Sequence, residues 1–184
     1  MLEKILYQEF TIPLKDYFST LKINEAIFEW FIPIIIATVF YLSITTASNL
    51  TNASAFAGSV VSLLAVLIGF SIASTTILLG CDNKTVTELK QNLTNREIDG
   101  KKISLYHLIY ITFISVVLIE IFTLFFNLGI YFSFEILGAL LNYKRLLISI
   151  DVVLLLNIFL LNIRNITNLY FMFWPKSLGT ATID

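Results

Sequence analysis

Four stretches of this chain run for about twenty residues or more with almost no charge: Ile27 to Thr45, Ala55 to Leu79, Leu105 to Tyr131, and Leu146 to about Ile163. About 20 apolar residues in helical form cross the roughly 30 Å of hydrocarbon in a bilayer. In lipid the backbone must satisfy its own polar groups, which a helix does within one segment. The sequence therefore predicts an all-α polytopic membrane protein, with four transmembrane helices joined by short loops. Charged residues make up only 14% and mean hydropathy is +0.84, whereas about a quarter of a soluble domain is charged. Met1 to Asn24 mixes Glu3, Lys4, Glu9, Lys15, Asp16 and Lys22 with apolar residues. It lacks the apolar core and cleavage site of a signal peptide, so its retention is expected.

Basic residues set the expected orientation. Lys4, Lys15 and Lys22 precede the first span, Lys84, Lys90, Arg96, Lys101 and Lys102 lie in the central loop, and Arg164 and Lys176 fall near the C-terminus. Thr46 to Ser54 is uncharged, and the loop after the third span offers only Lys144 and Arg145. By the positive-inside rule both termini and the central loop are expected in the cytoplasm of a bacterial inner membrane. Three regions follow: an N-terminal interfacial segment over 1–24, a transmembrane domain over 25–175 with a cytoplasmic loop at 81–104, and a tail over 176–184. The cytoplasmic face also holds Glu88, Glu97 and Asp99, a mixed surface that favours neither nucleic acid nor a polybasic contact with anionic lipid.

Within the N-terminal segment Leu14, Tyr17, Phe18 and Leu21 recur at helical spacing after Pro13, which predicts an amphipathic helix lying along the membrane surface. Asn24 is the expected N-cap of the first span. Glu25 and Glu29 share a face and read as a solvated helix start, with a cation vestibule as the functional alternative. Pro33 lies inside the span, where a neighbour must satisfy the carbonyl it frees. In the central loop Thr85 and Glu88 suggest a capping box, and Val86, Leu89 and Leu93 mark one apolar face of a short helix that Asp99 and Gly100 end. That helix either docks a protein partner or covers the inner end of the bundle. The last helix is expected to continue past Ile163 through Phe171 to Trp174, too long for the membrane, and to project into the interface or bend along it.

The second span carries a small residue on one face at every turn: Gly58, Ser62, Ala65, Gly69, Ala73, Thr76 and Gly80. Small side chains let helix backbones approach closely. The stripe is expected to be a close-packing surface, within the bundle or between copies in a homo-oligomer. The costly polar groups sit elsewhere. Glu120 and Asp151 lie within the third and fourth spans, accompanied by Thr123, Asn127, Asn157 and Asn162. Counted inward from the outer ends, the two carboxylates differ in depth by only about 6 Å, so a shared polar layer is expected. Glu120, Asp151, Asn127 and Asn157 are the candidates for an ion or proton path; the structural alternative bonds Glu120 to Asn157 or another amide. Arg164 is expected to snorkel to the inner interface.

Nothing else in the sequence suggests chemistry. HExxH, GxSxG and Gly-rich phosphate loops are absent, there is one histidine, His107, and one cysteine, Cys81. No catalytic residue, cofactor or metal is expected. The sequence fits a non-enzymatic oligomeric subunit that works in the membrane with a cytoplasmic protein partner, with Leu89, Leu93, Phe171 and Trp174 as docking candidates. The alternatives are a small oligomeric channel using Glu120 and a structural membrane protein without a constant partner.

In size, expected orientation and lack of chemistry, and in the segment Gly69-Phe70-Ser71-Ile72-Ala73-Ser74, the whole chain resembles the small four-span bacterial membrane proteins of anti-phage defence systems. Examples are the membrane subunit of Kiwa and effectors that depolarise cells. The resemblance implies a role in sensing or executing a membrane event; it carries over no individual site residue.

Overall fold

The computed structural model describes residues 9, 11–43, 53–135 and 143–173. Most of Thr46 to Ser54, Trp174 and the 176–184 tail lie outside these residues. The chain is mostly helical, with four helices long and apolar enough to cross a membrane. Helix α1 (Ile12–Thr20) precedes the first span, α2 (Ile23–Ser43). Helix α3 (Ala53–Gly80) is the second, α5 (Leu105–Glu135) the third and α6 (Lys144–Phe173) the fourth. Between the second and third spans stand α4 (Lys84–Gln91) and a hairpin of β1 (Leu93–Ile98) and β2 (Lys101–Ser104).

The spans do not share burial evenly. Over its most apolar stretch α5 is 56% buried, against 17% for α2 and 22% for α3. It is the central helix, with α3 on one side and α6 on the other, while α2 packs outside α6. Val60 and Leu64 of α3, Val116 and Ile119 of α5, and Ile158 and Leu161 of α6 build the main apolar core. A second core closes the hairpin end, where Leu78, Ile109 and Phe113 meet Val86 of α4 and Met172 of α6. The fourth span is therefore one continuous helix to Phe173, and packing against α4 accounts for its extra length.

Helix α1 packs against the bundle. Tyr17 is buried in the main core, and the Pro13 carbonyl accepts from the Ser115 hydroxyl at 3.0 Å. Ser115 is ten residues into α5, or about 15 Å along its axis, so α1 descends beside the third span. Only part of its apolar stripe reaches protein; Phe18 stays exposed.

The central segment differs from expectation. Asn83, not Thr85, caps α4: its side chain accepts from the Val86 N–H at 2.8 Å. Asp99 and Gly100 adopt positive φ of 49° and 75°, the left-handed pair that a two-residue hairpin turn demands and that Asp-Gly supplies. They pair Ile98 with Lys101 and Glu97 with Lys102. Leu93 thus lies on a strand, 67% exposed, and not on the helix face with Val86 and Leu89. Leu89 packs partly buried against the second core. Ser104 ends the hairpin and starts α5 by accepting from the His107 N–H at 3.2 Å.

Candidate functional site

Two polar assemblies lie inside the bundle. The first is built around Pro33. Having no N–H, it leaves the Glu29 carbonyl four residues earlier without its helical donor. The helix relaxes into a π-turn over Ile27–Phe31, and Asn157 Nδ2 of α6 donates to the Glu29 carbonyl at 2.8 Å. Asn157 therefore repairs the proline break and is not the amide that binds Glu120.

The Glu29 side chain, 4% exposed, is held on both oxygens. Arg164 Nη1 lies 2.6 Å from Oε1, and the Tyr17 hydroxyl donates to Oε2 at 2.6 Å. Trp30 Nε1 donates to the Tyr17 oxygen at 3.3 Å. Burial foremost, then the hydrogen bond to Glu29, raises the Tyr17 hydroxyl pKa above its ordinary value. Glu25 Oε1 takes Arg96 at 2.6 Å and Arg164 at 3.2 Å, while its Oε2 accepts from the Lys22 N–H at 3.1 Å. The helix start is thus Lys22 with Glu25, and not Asn24. Arg96 comes from β1, where period-two alternation points Thr94, Arg96 and Ile98 inward. Its second nitrogen donates to the Thr20 carbonyl at 2.9 Å, closing the end of α1. Glu25 and Glu29 are neither a solvated helix start nor an open vestibule. They are the acidic centre of a network that ties α1, α2, α6 and the hairpin together, and Arg164 is committed to it.

The second assembly runs along the seam between α5 and α6. Glu120 is fully buried. Its Oε1 accepts from Ser71 Oγ of α3 at 2.9 Å and from Asn162 Nδ2 of α6 at 2.8 Å. Thr123 and Asn127 follow on the same face of α5, both fully buried. Asn127 Nδ2 donates to Asp151 Oδ1 at 2.6 Å. Asp151 is itself 1% exposed. Asn127 stands seven residues from Glu120, about 10 Å along the helix. The two carboxylates occupy separate levels with separate amide partners, and not the shared layer that depth counting suggested.

Glu120 Oε2, Asn127 Oδ1, Asp151 Oδ2, Asn157 Oδ1 and Asn165 Oδ1 are buried without a hydrogen-bond partner among the described residues. All five are oxygens: the three amide oxygens can be satisfied by a donor or a cation, and the two carboxylate oxygens by a proton as well. Among the described residues no group of three or more His, Cys, Asp or Glu side chains could hold a metal ion.

The small-residue stripe turns away from both assemblies. Helix α3 packs on α5 through Ala57, Val60, Leu64, Ser71, Ser74 and Leu78. Ser62, Ala65, Gly69, Ala73, Thr76 and Gly80 are exposed, and only Gly58 is half-buried, near the Tyr131 ring. A Cβ added at Gly69 or Gly80 would meet nothing within 4 Å. The second span is therefore not a close-packing helix of its own bundle along that face. Of the docking candidates, Leu93 and Phe171 are exposed, Leu89 faces the bundle and Trp174 lies outside the described residues. Compared with models of protein families, with curated proteins and with solved structures, the chain matches none.

Proposed function

We propose that this protein is a non-enzymatic, self-associating subunit of a bacterial inner membrane, with both termini cytoplasmic. It senses or executes a membrane event in anti-phage defence together with a cytoplasmic protein partner. The observation that carries self-association is the outward small-residue face of α3. Its hydroxyls are already spent on their own helix, Ser62 on the Gly58 carbonyl at 3.2 Å and Thr76 on the Ile72 carbonyl at 2.9 Å. What remains is shallow relief against which a second helix backbone can pack. At the hairpin end, exposed Leu93 and Phe171 support a protein partner.

Native mass spectrometry of the purified protein tests the reading. The wild type is expected as an oligomer and Gly69→Leu as a monomer that still folds, because a side chain added at Gly69 enters open space in the single chain. A monomeric wild type, or an oligomer unaffected by Gly69→Leu, removes the α3 face from the account. Loss of phage protection on deleting the gene, restored by the wild type and not by Gly69→Leu, tests the defence role.

A second reading, an oligomeric ion channel, is favoured by the unpartnered buried oxygens of Glu120, Asn127 and Asp151 along the α5–α6 seam. Cation flux in proteoliposomes that is lost in Glu120→Gln, with the oligomer intact, supports it. Absence of flux together with a stable partner complex favours the first.

A further inference from the structure

We propose that Glu120 is an exchangeable proton-binding site formed by three helices. The geometry separates it from Glu29, the buried carboxylate of the ionic network. Its Oε1 takes two neutral donors, Ser71 from α3 and Asn162 from α6, while its Oε2 has no partner among the described residues. A carboxylate so buried needs either a counter-charge or a proton.

No charged side chain among the described residues supplies the counter-charge. Helix α3 has no Asp, Glu, Lys or Arg between Ala53 and Gly80. From α6, Arg164 is turned onto Glu25 and Glu29, and Asp151 is engaged by Asn127. From the outer elements, Tyr17 of α1 and Glu29 of α2 bond to each other. On α5 itself the sole histidine, His107, is exposed nearly four turns away. A proton then neutralises the carboxyl: carried on Oε1 it can be donated to Ser71 Oγ, whose own hydrogen then goes to Asn162 Oδ1 at 3.2 Å.

Further buried polar groups follow on the same face of α5: Thr123 and Asn127 stand three and seven residues beyond Glu120, and Asn127 donates to Asp151, whose Oδ2 is another unpartnered oxygen. Glu29, by contrast, has both of its oxygens bonded. This assignment stands apart from the channel reading, because a carboxyl can take up a proton without conducting one.

Infrared difference spectroscopy of the full-length protein in proteoliposomes tests the site directly. The expected result is a protonated-carboxyl C=O band near neutral pH that is missing in Glu120→Gln, shifts on exchange into D2O, and disappears reversibly at alkaline pH. Replacing choline with sodium or potassium should leave it unchanged. Asp151→Asn, which retains the Glu120 band, assigns the other carboxyl, and Glu120→Asp, which moves the band, covers a failure of the Gln variant to fold. Absence of the band at every pH overturns the proposal, as does a band that never exchanges with D2O. A band abolished by sodium or potassium overturns it in favour of a metal-cation site. Proton flux is measured separately: its absence beside an exchangeable band removes only the channel reading.

Discussion

Glu29 and Glu120 are both buried glutamates on membrane-spanning helices, yet the fold treats them oppositely. Glu29 receives a guanidinium on one oxygen and a phenol on the other, and the same guanidinium reaches a second carboxylate. Glu120 receives a hydroxyl and an amide on one oxygen and nothing from the described residues on the other. The difference follows from position. Glu29 lies near the hairpin end, where Arg164 and Arg96 enter the protein with part of their side chains still in contact with solvent. Glu120 meets α6 only two residues from Arg164, at Asn162, but it sits between α3 and α5, whose contacts offer it neutral donors alone. One site uses charge to fasten elements; the other leaves a valence open.

Substitutions can break this comparison, and the largest effect belongs to Arg164. Arg164→Leu leaves Glu29 buried without its cation, and a loss of about 3–5 kcal/mol is expected, measured as a fall in the denaturation midpoint of the protein in detergent. Arg164→Lys keeps the charge but cannot span Glu25 and Glu29 as a fork, so it should fall between. A stability loss below about 1 kcal/mol for Arg164→Leu would mean that Glu29 carries no buried charge. Next comes Asn157→Leu, which strands the carbonyl freed by Pro33; a loss of about 1–3 kcal/mol is expected. The double variant Asn157→Leu with Pro33→Ala should recover much of it, because the helical donor returns.

Tyr17→Phe removes one donor from Glu29 at a cost of about 1 kcal/mol. It also carries a pH signature. The raised pKa of the folded Tyr17 means that the unfolded chain loses that proton first, from about pH 10 upward. Stability from this phenol is therefore fully present below about pH 10 and declines above it. Alkaline melting curves of the wild type should fall more steeply than those of Tyr17→Phe. The smallest effect is expected at Glu120→Gln, under about 1 kcal/mol, since the amide oxygen still accepts from Ser71 and Asn162 and no cation is stranded. Glu29→Gln, by contrast, leaves Arg164 short of a charge and should cost at least twice as much. Equal losses for the two Gln variants would collapse the distinction between the sites.

The four spans were legible because hydrocarbon thickness imposes a length that apolar runs display openly. The Pro33 defect was legible too, down to its need for a neighbouring donor, but not that Asn157 would be the donor. That assignment depends on how α2 and α6 are rotated, which periodicity within either helix leaves open. Rotation also hid the partners of Glu120. Ser71, Ser74 and Thr75 form a hydroxyl face of α3 beside the small-residue stripe, and the two faces compete for the interior. The hydroxyls hold it because Glu120 needs a donor, while the stripe is left outside. The hairpin was missed although its signal was local: Asp99-Gly100 between alternating residues specifies the turn, and only the expectation of a longer helix obscured it. Arg96 was then out of reach, since its role depends on a strand placing it inward.

The repair of Pro33 has a consequence for biogenesis. Spans made earlier enter the membrane earlier, so α2 arrives with an unbonded carbonyl at Glu29 and a carboxyl lacking its cation. Asn157 and Arg164, which answer these two needs, are synthesised more than a hundred residues later, both on α6. The first span remains an unfinished guest in the lipid until the fourth is inserted, and the same helix completes its backbone and neutralises its acid. One helix, the fourth, thus supplies both groups that the first span lacks on its own.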